Sequence, residues 1–415
     1  MIPVLKNSWA LLTGVLLLML GNGLQGTLLG VRGAMENIDP TWMGFVMSAY
    51  FIGFLGGSHL TPSMLRRVGH VRVFAALGSL VSAAFILYGA FVDPWFWMFL
   101  RLVVGFCFSG IYVVAESWLN DSADNETRGQ ALSMYLIVQM AGIVLGQLLL
   151  NVADPGGYGL FVLITVLVSI SFAPILLSSG PAPMFHTSRP MSLRELVTTS
   201  PLASFGTFLL GGVFAALFAM APVYATRLDM SVREISYFIT AIFAGGMFCQ
   251  YPIGWLSDRV DRRLLITAIT GLGALVAIAG FFTMETAGLY IIAFSLGGLT
   301  NPVYSLLIAY ANDYLEVDQM AAASGGLLFI NGVGAMGGPV MVGFLMNQFG
   351  TQFFFVFIAV LMAAICCYGI YRASVRESVS VDDAAPYIPI TSRSTQVAAE
   401  IAIEVVEEEQ DSTNN

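Results

Sequence analysis

The sequence is short of charge. Charged residues make up 10% of the 415 residues, whereas apolar residues make up 57% and the mean hydropathy is +0.81. A soluble domain carries about 25% charged residues, so this chain has too few to cover a water-facing surface. We therefore expect the protein to be solvated mainly by the lipid bilayer.

Lysine is almost absent, since Lys6 is the only one in the chain. A phosphate-binding loop of the form GxxxxGK[ST] needs a lysine close to its glycines, which excludes an ATP-driven mechanism built on that element. Basic residues also form no block interleaved with aromatic residues, so we expect no nucleic-acid partner.

Cysteine and histidine are scarce as well, and none of them forms a metal-ligand spacing. The four cysteines lie inside long apolar runs, where we interpret them as packing residues: Cys107, Cys249, Cys366 and Cys367. The sequence predicts no metal, no cofactor and no catalytic residue, and hence no enzyme. The alternatives are a membrane-embedded lipid enzyme, which lacks a recognisable nucleophile, and a receptor or scaffold that transports nothing.

The net charge of −9 is concentrated at the C-terminus. Residues 373–415 hold nine acids and two arginines, and this composition is typical of a disordered, cytoplasmic acidic tail. Within it, the stretch 397–409 alternates apolar residues with glutamate and could instead form a short helix.

Twelve apolar runs are each long enough to cross about 30 Å of hydrocarbon as a helix. They lie near residues 8–31, 42–63, 71–92, 95–118, 129–151, 159–178, 202–224, 234–256, 264–284, 288–311, 320–345 and 351–372. The predicted fold class is an all-α integral membrane protein. Its domains are a six-helix bundle at 1–178, a cytoplasmic loop at 179–201, a six-helix bundle at 202–372 and the tail.

The basic residues indicate the orientation. With the N-terminus inside, thirteen lysine and arginine residues fall on the cytoplasmic side and three on the outer side. We therefore expect both termini to be cytoplasmic.

The two halves of the chain align at a constant offset of 192 residues. Gly53 falls on Gly245 and Tyr112 on Tyr304, and the dipeptide at 120–121 falls on the same dipeptide at 312–313. Such a repeat predicts two bundles of the same topology, related by a pseudo-two-fold axis along the membrane normal.

A loop motif strengthens this interpretation. Segment 254–263, GWLSDRVDRR, resembles the GxLxDRxGRR signature of the major facilitator superfamily (MFS), with Asp261 in place of the second glycine. The first-half copy is degenerate, because Arg66 stands where the family has aspartate. Segments 113–121 and 309–313 are similar to a bacterial YcaD-like subgroup of that superfamily.

The resemblance implies an asymmetric cytoplasmic gate. In the family the loop aspartate latches the two halves, so Asp258 would act with Arg259, Arg262 and Arg263, next to Gly254. A plain anchoring role for these basic residues is the alternative. The resemblance also implies that helices 1, 4, 7 and 10 line a central cavity.

Polar residues within the spans are the candidates for substrate binding or coupling. On helix 4, Arg101, Tyr112 and Glu116 lie within about 60° of one another on a helical wheel. Glu116 could bind a proton or form a wet ion pair with loop arginines. The other candidates are Asn22, Gln25, Asn301 and Tyr304, for which bonds between helices are the alternative.

These features predict a secondary-active transporter of a small organic solute. Two bundles would rock about a midplane site, and a proton gradient is the expected energy source. A proton-driven efflux antiporter of drugs or metabolites is the alternative. We expect a monomer in the bacterial inner membrane, with the lipid bilayer, the substrate and a coupling proton as its partners.

Overall fold

The structure is a computed structural model that describes residues 2–122, 128–177, 191–375, 387, 394–395, 397–399 and 401–402. Its long elements are all helical, because runs of apolar residues without access to water must satisfy their backbone groups internally. The helices are α1 Ile2–Met35, α2 Pro40–Val68, α3 His70–Ala90, α4 Pro94–Ser122, α5 Arg128–Leu149, α6 Gly159–Leu177, α7 Leu193–Thr199, α8 Pro201–Ala215, α9 Ala221–Arg227, α10 Val232–Ser257, α11 Arg262–Phe282, α12 Thr286–Asn312, α13 Val317–Phe349 and α14 Phe353–Val375.

The twelve predicted spans are confirmed. Among the residues that the structure describes, twelve helices are long and apolar enough to cross a membrane, the first being Ser8–Met35 and the last Phe353–Val375. The seventh span, Pro201–Arg227, comprises α8, a π-helical turn at Ala216–Met220 and α9.

That π turn interrupts a span for which the sequence predicts a continuous helix. Pro222 stands in the first turn of α9, directly after it. A proline has no backbone N–H and its ring collides with the carbonyl of the preceding turn, so the hydrogen-bond register widens just before it. Such π turns are rare in proteins and frequently lie at functional sites.

The spans expose large apolar side chains. Tyr251 is 80% exposed and Phe282 75% exposed, although both belong to long helices. On a soluble protein such side chains would mark an interface. On a chain that spans the bilayer they are the surface that contacts lipid.

The central segment differs in one respect from the predicted loop. It contains the two-turn helix α7, whose first turn is capped by Ser192: the Ser192 hydroxyl accepts a hydrogen bond of 3.2 Å from the backbone N–H of Glu195. Leu196 anchors the helix, because its side chain is only 1% exposed. Residues 178–190 lie outside the described part of the chain.

The chain forms two compact units. Unit 1 comprises Met1–Arg32, Ala49–Ser188 and Arg393–Asn415, and unit 2 comprises Gly33–Ser48 and Arg189–Ser392. Of the described tail residues, Tyr387 therefore belongs to unit 2, whereas residues 394–395, 397–399 and 401–402 belong to unit 1.

The repeat in the sequence is also a repeat of contacts inside each unit. In unit 1, a Cβ atom added at Gly53 would collide with the carbonyl oxygen of Leu102. In unit 2, one added at Gly245 would collide with the carbonyl oxygen of Phe294. Both residues of the second pair follow the first pair by 192 positions, so the same helix crossing is built twice.

A second crossing repeats in the same register. A Cβ at Gly142 would touch the carbonyl oxygen of Leu16, and a Cβ at Gly334 would collide with the carbonyl oxygen of Phe208. Small residues allow helices to approach this closely in a membrane. The 192-residue offset therefore describes the packing of both bundles as well as their sequences.

The tail is predicted to be disordered, but its described residues are packed. Thr395, Ala398, Ile401 and Ala402 are each at most 5% exposed, and residues 397–399 and 401–402 are helical. Their small and β-branched side chains are apolar enough to be buried. The acidic composition of the whole tail gives no indication of these apolar positions. Residues 376–386, 388–393, 396, 400 and 403–415 lie outside the described part of the chain.

Candidate functional site

Arg101 and Gln25 form a polar pair inside unit 1. Nη1 of Arg101 donates a hydrogen bond of 2.9 Å to Oε1 of Gln25, and the Arg101 guanidinium lies 5.1 Å from the centre of the Tyr50 ring. Arg101 is 5% exposed and Gln25 is 1% exposed. A buried guanidinium needs such partners, because an uncompensated charge at this depth is very costly.

Asn22 and Tyr112 form a second polar pair on the same two helices. The Asn22 amide donates a hydrogen bond of 3.2 Å to the Tyr112 hydroxyl, which itself lies 3.6 Å from the sulfur of Met19. The structure therefore pairs each of the two polar candidates on α1 with one candidate on α4.

Glu116 is fully buried, at 0% exposure. Its Oε2 accepts a hydrogen bond of 3.0 Å from the backbone N–H of Thr395 and another from the Thr395 hydroxyl. Its Oε1 accepts one of 3.3 Å from the hydroxyl of Tyr135. Among the described residues, the partners of this carboxylate are thus Tyr135 of α5 and two residues of the tail, Thr395 and Ala398, in a dry environment.

In unit 2, Asn301 belongs to a network of uncharged groups. The Asn301 amide donates a hydrogen bond of 3.2 Å to Oε1 of Gln250. The Gln250 amide nitrogen in turn donates to the hydroxyl of Ser305 at 3.0 Å and to the hydroxyl of Tyr387 at 2.8 Å. The network therefore connects α12, α10 and the tail.

Tyr304 occupies the position that repeats Tyr112, but its surroundings are different. The Tyr304 ring centre lies 6.4 Å from that of Phe214. Phe214 is the residue that repeats Asn22, so an amide–phenol hydrogen bond in unit 1 is replaced by a contact between two rings in unit 2. The two bundles share a backbone plan and differ in polarity.

Near its end, the loop motif contains the N-cap of α11, Asp261. The Asp261 carboxylate accepts hydrogen bonds from the backbone N–H groups of Arg263 and Leu264, at 2.8 and 3.2 Å. Aspartate is a favoured N-cap residue. The departure from the family glycine at this position therefore gives α11 a capped start.

Arg262 is the buried arginine of the motif, at 5% exposure. Its Nη1 lies 2.5 Å from Oδ1 of Asp313 and donates to the carbonyl of Ala309 at 3.1 Å, while its Nε donates to the Ser257 hydroxyl at 3.0 Å. These bonds join the start of α11 to the ends of α10 and α12. Arg262 is thus built into the interior of unit 2.

The neighbouring arginines are bonded locally. Arg259 lies over the ring of Trp255, with 4.0 Å between the guanidinium carbon and the ring centre. Arg263 donates to the carbonyl of Arg372 at 3.5 Å. Each therefore forms its contact within unit 2, next to the motif.

Asp258 and Gly254 contact the tail. Oδ1 of Asp258 accepts a hydrogen bond of 3.0 Å from the backbone N–H of Tyr387 and lies 3.7 Å from Nη2 of Arg262. The Tyr387 ring lies against the main chain of Gly254, where a Cβ atom would collide with it. The role of Asp258 as a latch between the halves stays a prediction.

The degenerate first-half copy keeps one contact of the second. His70 repeats Arg262 and Ser117 repeats Ala309, and Nε2 of His70 lies 2.9 Å from the hydroxyl of Ser117. The contact between the corresponding helices, α3 and α4, is therefore retained in unit 1, but a histidine and a serine make it instead of an arginine and a carbonyl group.

Sequence reasoning misses several of the residues that complete these clusters. Gln250 carries the same signal as Asn301, an amide within an apolar run, and could have been found. Asp313 is part of a repeated dipeptide in the sequence, but its pairing with Arg262, like the bond of Tyr135 to Glu116, is visible only in the structure. Tyr387 and Thr395 give no signal, because they lie in a segment whose composition predicts disorder.

The chain was compared with known families and proteins. Residues 11–248 and 203–393 match the family model described as Major Facilitator Superfamily. The uncharacterized MFS-type transporter YcaD of Escherichia fergusonii is 29% identical over 354 residues, which covers 84% of this chain and 91% of that protein. The YcaD of Salmonella heidelberg is 30% identical over 355 residues, with the same two coverages.

Two solved structures share the fold. The nucleoside transporter NupG superposes with a TM-score of 0.71 at 13% identity, covering 89% of this chain and 100% of that one. A bacterial homologue of the human lysosomal transporter Spinster, in an inward-facing and unoccupied conformation, superposes with a TM-score of 0.67 at 15% identity, covering 97% of both chains.

Proposed function

Because this chain belongs to the major facilitator superfamily and is a multi-pass membrane protein of a transporter family, we propose that it is a secondary-active transporter of a small organic solute, working by alternating access as a monomer. The observation that carries the proposal is the duplicated bundle, in which contacts such as Gly53–Leu102 and Gly245–Phe294 recur at one offset. Bundles built from internal repeats are the architecture of many secondary transporters.

Polar clusters inside each bundle support a solute site. Arg101 with Gln25 and Asn22 with Tyr112 place a cation, two amides and a phenol in unit 1. Asn301 with Gln250 places two further amides in unit 2. Charged groups inside a membrane are expensive and are functional candidates, often on substrate pathways. We propose that Arg101 binds an acidic group of the solute.

The proposed energy source is a proton gradient, with Glu116 as the group that carries the proton. Glu116 is a carboxyl group inside a candidate span and is completely buried. One proton moving down a potential of about 100 mV supplies about 2.3 kcal/mol, which supports roughly 50-fold accumulation. The proposed location is the bacterial inner membrane with both termini cytoplasmic, as the distribution of basic residues favours.

The test uses purified protein. A thermal-shift screen of metabolites and drugs would first identify a ligand, because a ligand of the folded state raises the melting temperature. Flux of that ligand into proteoliposomes, measured with a proton gradient of either sign, then distinguishes uptake from efflux. Absence of flux for every stabilising ligand would favour a receptor or scaffold.

Proton coupling has its own experiment. Glu116→Gln should abolish accumulation driven by a proton gradient while retaining exchange of labelled for unlabelled solute, since exchange needs no net proton movement. Glu195→Gln, an exposed substitution on α7, is the matched control and should keep both activities. Accumulation by Glu116→Gln at the wild-type level would contradict the assignment.

A further inference from the structure

The tail side chain of Tyr387 occupies a defined place in unit 2. Its hydroxyl accepts a hydrogen bond of 2.8 Å from the Gln250 amide nitrogen and is also bonded by the Ser305 hydroxyl. Its backbone N–H donates to Asp258, and its ring lies on the main chain of Gly254. Two side-chain hydrogen bonds, one backbone hydrogen bond and one ring contact therefore hold Tyr387, although the tail has a polar composition.

The cluster is oriented so that it recognises an oxygen atom. Oε1 of Gln250 accepts a hydrogen bond from Asn301, which directs the amide nitrogen of Gln250, with its two N–H groups, toward Ser305 and Tyr387. A ligand atom at this point must accept a hydrogen bond. The hydroxyl of Tyr387 satisfies that demand.

The position is deep enough to matter for transport. Gln250 lies seven residues before Ser257, the end of α10, and Ser305 lies seven residues before Asn312, the end of α12. At 1.5 Å per residue, the phenol reaches about 10 Å along both helices from their ends. It therefore sits within the polar network of Asn301.

The group that occupies the position is neutral. A tyrosine hydroxyl keeps its proton at physiological pH, since its ordinary pKa is about 10, and burial of the Tyr387 phenol raises this pKa further. The site consequently holds an uncharged ring with one hydroxyl group, and this ring lies against Gly254.

We propose that Gln250, Ser305 and Asn301 form a binding site for an uncharged, hydroxyl-bearing ring, and that Tyr387 is its built-in occupant, which such a ligand must displace. The inference rests on the proposed transport function, because it names a ligand class for a polar cluster of the transporter. The tail then lowers the apparent affinity for the ligand by competing for the same hydrogen bonds.

The experiment measures binding to the full-length protein in detergent by thermal shift. The probe is 4-methylphenol, which reproduces the tyrosine side chain, and toluene is the matched compound without a hydroxyl. In Tyr387→Ala, 4-methylphenol should reach half of its maximal effect at a concentration at least about tenfold lower than in the wild type. Toluene should show no such difference.

Three further variants test the roles of the hydroxyl, of Gln250 and of a neighbouring residue outside the site. Tyr387→Phe keeps the ring and loses the hydroxyl, so its half-maximal concentration should fall between those of the wild type and Tyr387→Ala. Adding Gln250→Leu to Tyr387→Ala should make 4-methylphenol no better than toluene. Tyr251→Ala, on the 80% exposed neighbour of Gln250, should behave as the wild type.

Equal binding of 4-methylphenol by the wild type and Tyr387→Ala, or equal effects of the two probes on Tyr387→Ala, would overturn the proposal. These results need no flux measurement, so they leave the transport assignment untouched. Conversely, absence of flux for every stabilising ligand would overturn the transport function, whereas the binding results for 4-methylphenol would still support the site.

Discussion

The backbone N–H of Thr395 donates a hydrogen bond of 3.0 Å to the carboxylate of Glu116, although the two residues are 279 positions apart in the chain. The Thr395 hydroxyl bonds the same oxygen. The C-terminal tail thus provides the hydroxyl and backbone N–H of Thr395, and also the backbone N–H of Ala398, to a buried carboxylate of unit 1. The tail is in this respect a part of the bundle.

The first prediction concerns the stability of unit 1. Thr395→Val removes the hydroxyl donor and leaves Glu116 with fewer hydrogen bonds in a dry environment, which should cost about 1–3 kcal/mol. The melting temperature of the purified protein would fall accordingly. In a protein that already carries Glu116→Gln, Thr395→Val should lower the stability less, because an uncharged amide depends less than a carboxylate on hydrogen-bond donors.

Thr198→Val on α7 is the control, since Thr198 is exposed and its hydroxyl bonds carbonyls of its own helix. A loss for Thr198→Val as large as that for Thr395→Val would show that the effect is not specific to Glu116.

A second prediction concerns the ion pair of Arg262 and Asp313. Both side chains are 4% exposed, and the charged atoms are 2.5 Å apart. Asp313→Asn leaves a buried guanidinium with a weaker partner, and breaking a buried pair in this manner costs about 3–5 kcal/mol. The free energy of unfolding should fall strongly for Asp313→Asn and little for Arg259→Lys, because Arg259 lies at an exposed position. Similar losses for both variants would argue against a special role of the buried pair.

The third prediction tests the structural repeat. Gly53→Ala and Gly245→Ala each place a methyl group against a carbonyl oxygen of the neighbouring helix, so both should destabilise the protein, by about 1–3 kcal/mol. Because the crossings are equivalent, the two losses should be similar in melting experiments. Gly26→Ala and Gly337→Ala are the matched controls, one in each unit, since nothing lies within 4 Å of a Cβ atom there. Losses that differ severalfold between Gly53 and Gly245 would mean that the crossings are not equivalent.

A fourth prediction follows from the raised pKa of Tyr387. A phenol that is harder to deprotonate when docked contributes its full stabilisation below the ordinary tyrosine pKa of about 10. This contribution is lost as the pH rises above that value, because the undocked tail then gains from ionisation. The difference in melting temperature between the wild type and Tyr387→Phe should therefore be constant from pH 7 to about pH 9 and shrink at higher pH. A difference that grows above pH 10 would contradict the docking of a neutral phenol.

The fifth prediction concerns Arg101. Once a ligand has been identified, Arg101→Ala should reduce its uptake at least about tenfold, because a charge-assisted hydrogen bond to the solute would be lost. Arg194→Ala, at an exposed position of α7, should leave uptake unchanged. Full uptake by Arg101→Ala would show that Arg101 does not bind the solute and that its role is structural, through contacts such as its bond with Gln25.

Much of the fold could be predicted from the sequence. The spans follow from the length of apolar runs, because hydrocarbon thickness sets a minimum that no soluble helix has to meet. The register of the repeat follows from Gly53 and Gly245, since a residue without a side chain is required wherever two backbones meet. The π turn near Pro222 could not be placed, because proline permits several ways of relaxing a helix.

Only part of the candidate site could be predicted from the sequence. Asn301 could be selected as a polar residue in an apolar run, and so could Gln250 by the same reasoning. Their partners could not be selected, since a hydrogen bond between α10 and residue 387 depends on where the chain returns in space.

The sequence by itself determined that this protein spans a membrane twelve times and contains a duplicated bundle, because both properties depend on local apolarity and on positions that must be small. Only the tertiary structure decided which groups satisfy Glu116 and Gln250, and that a tail of acidic composition supplies them. Whether a polar atom is buried depends on every chain segment that packs against it. Amino-acid composition does not indicate which distant segments come into contact.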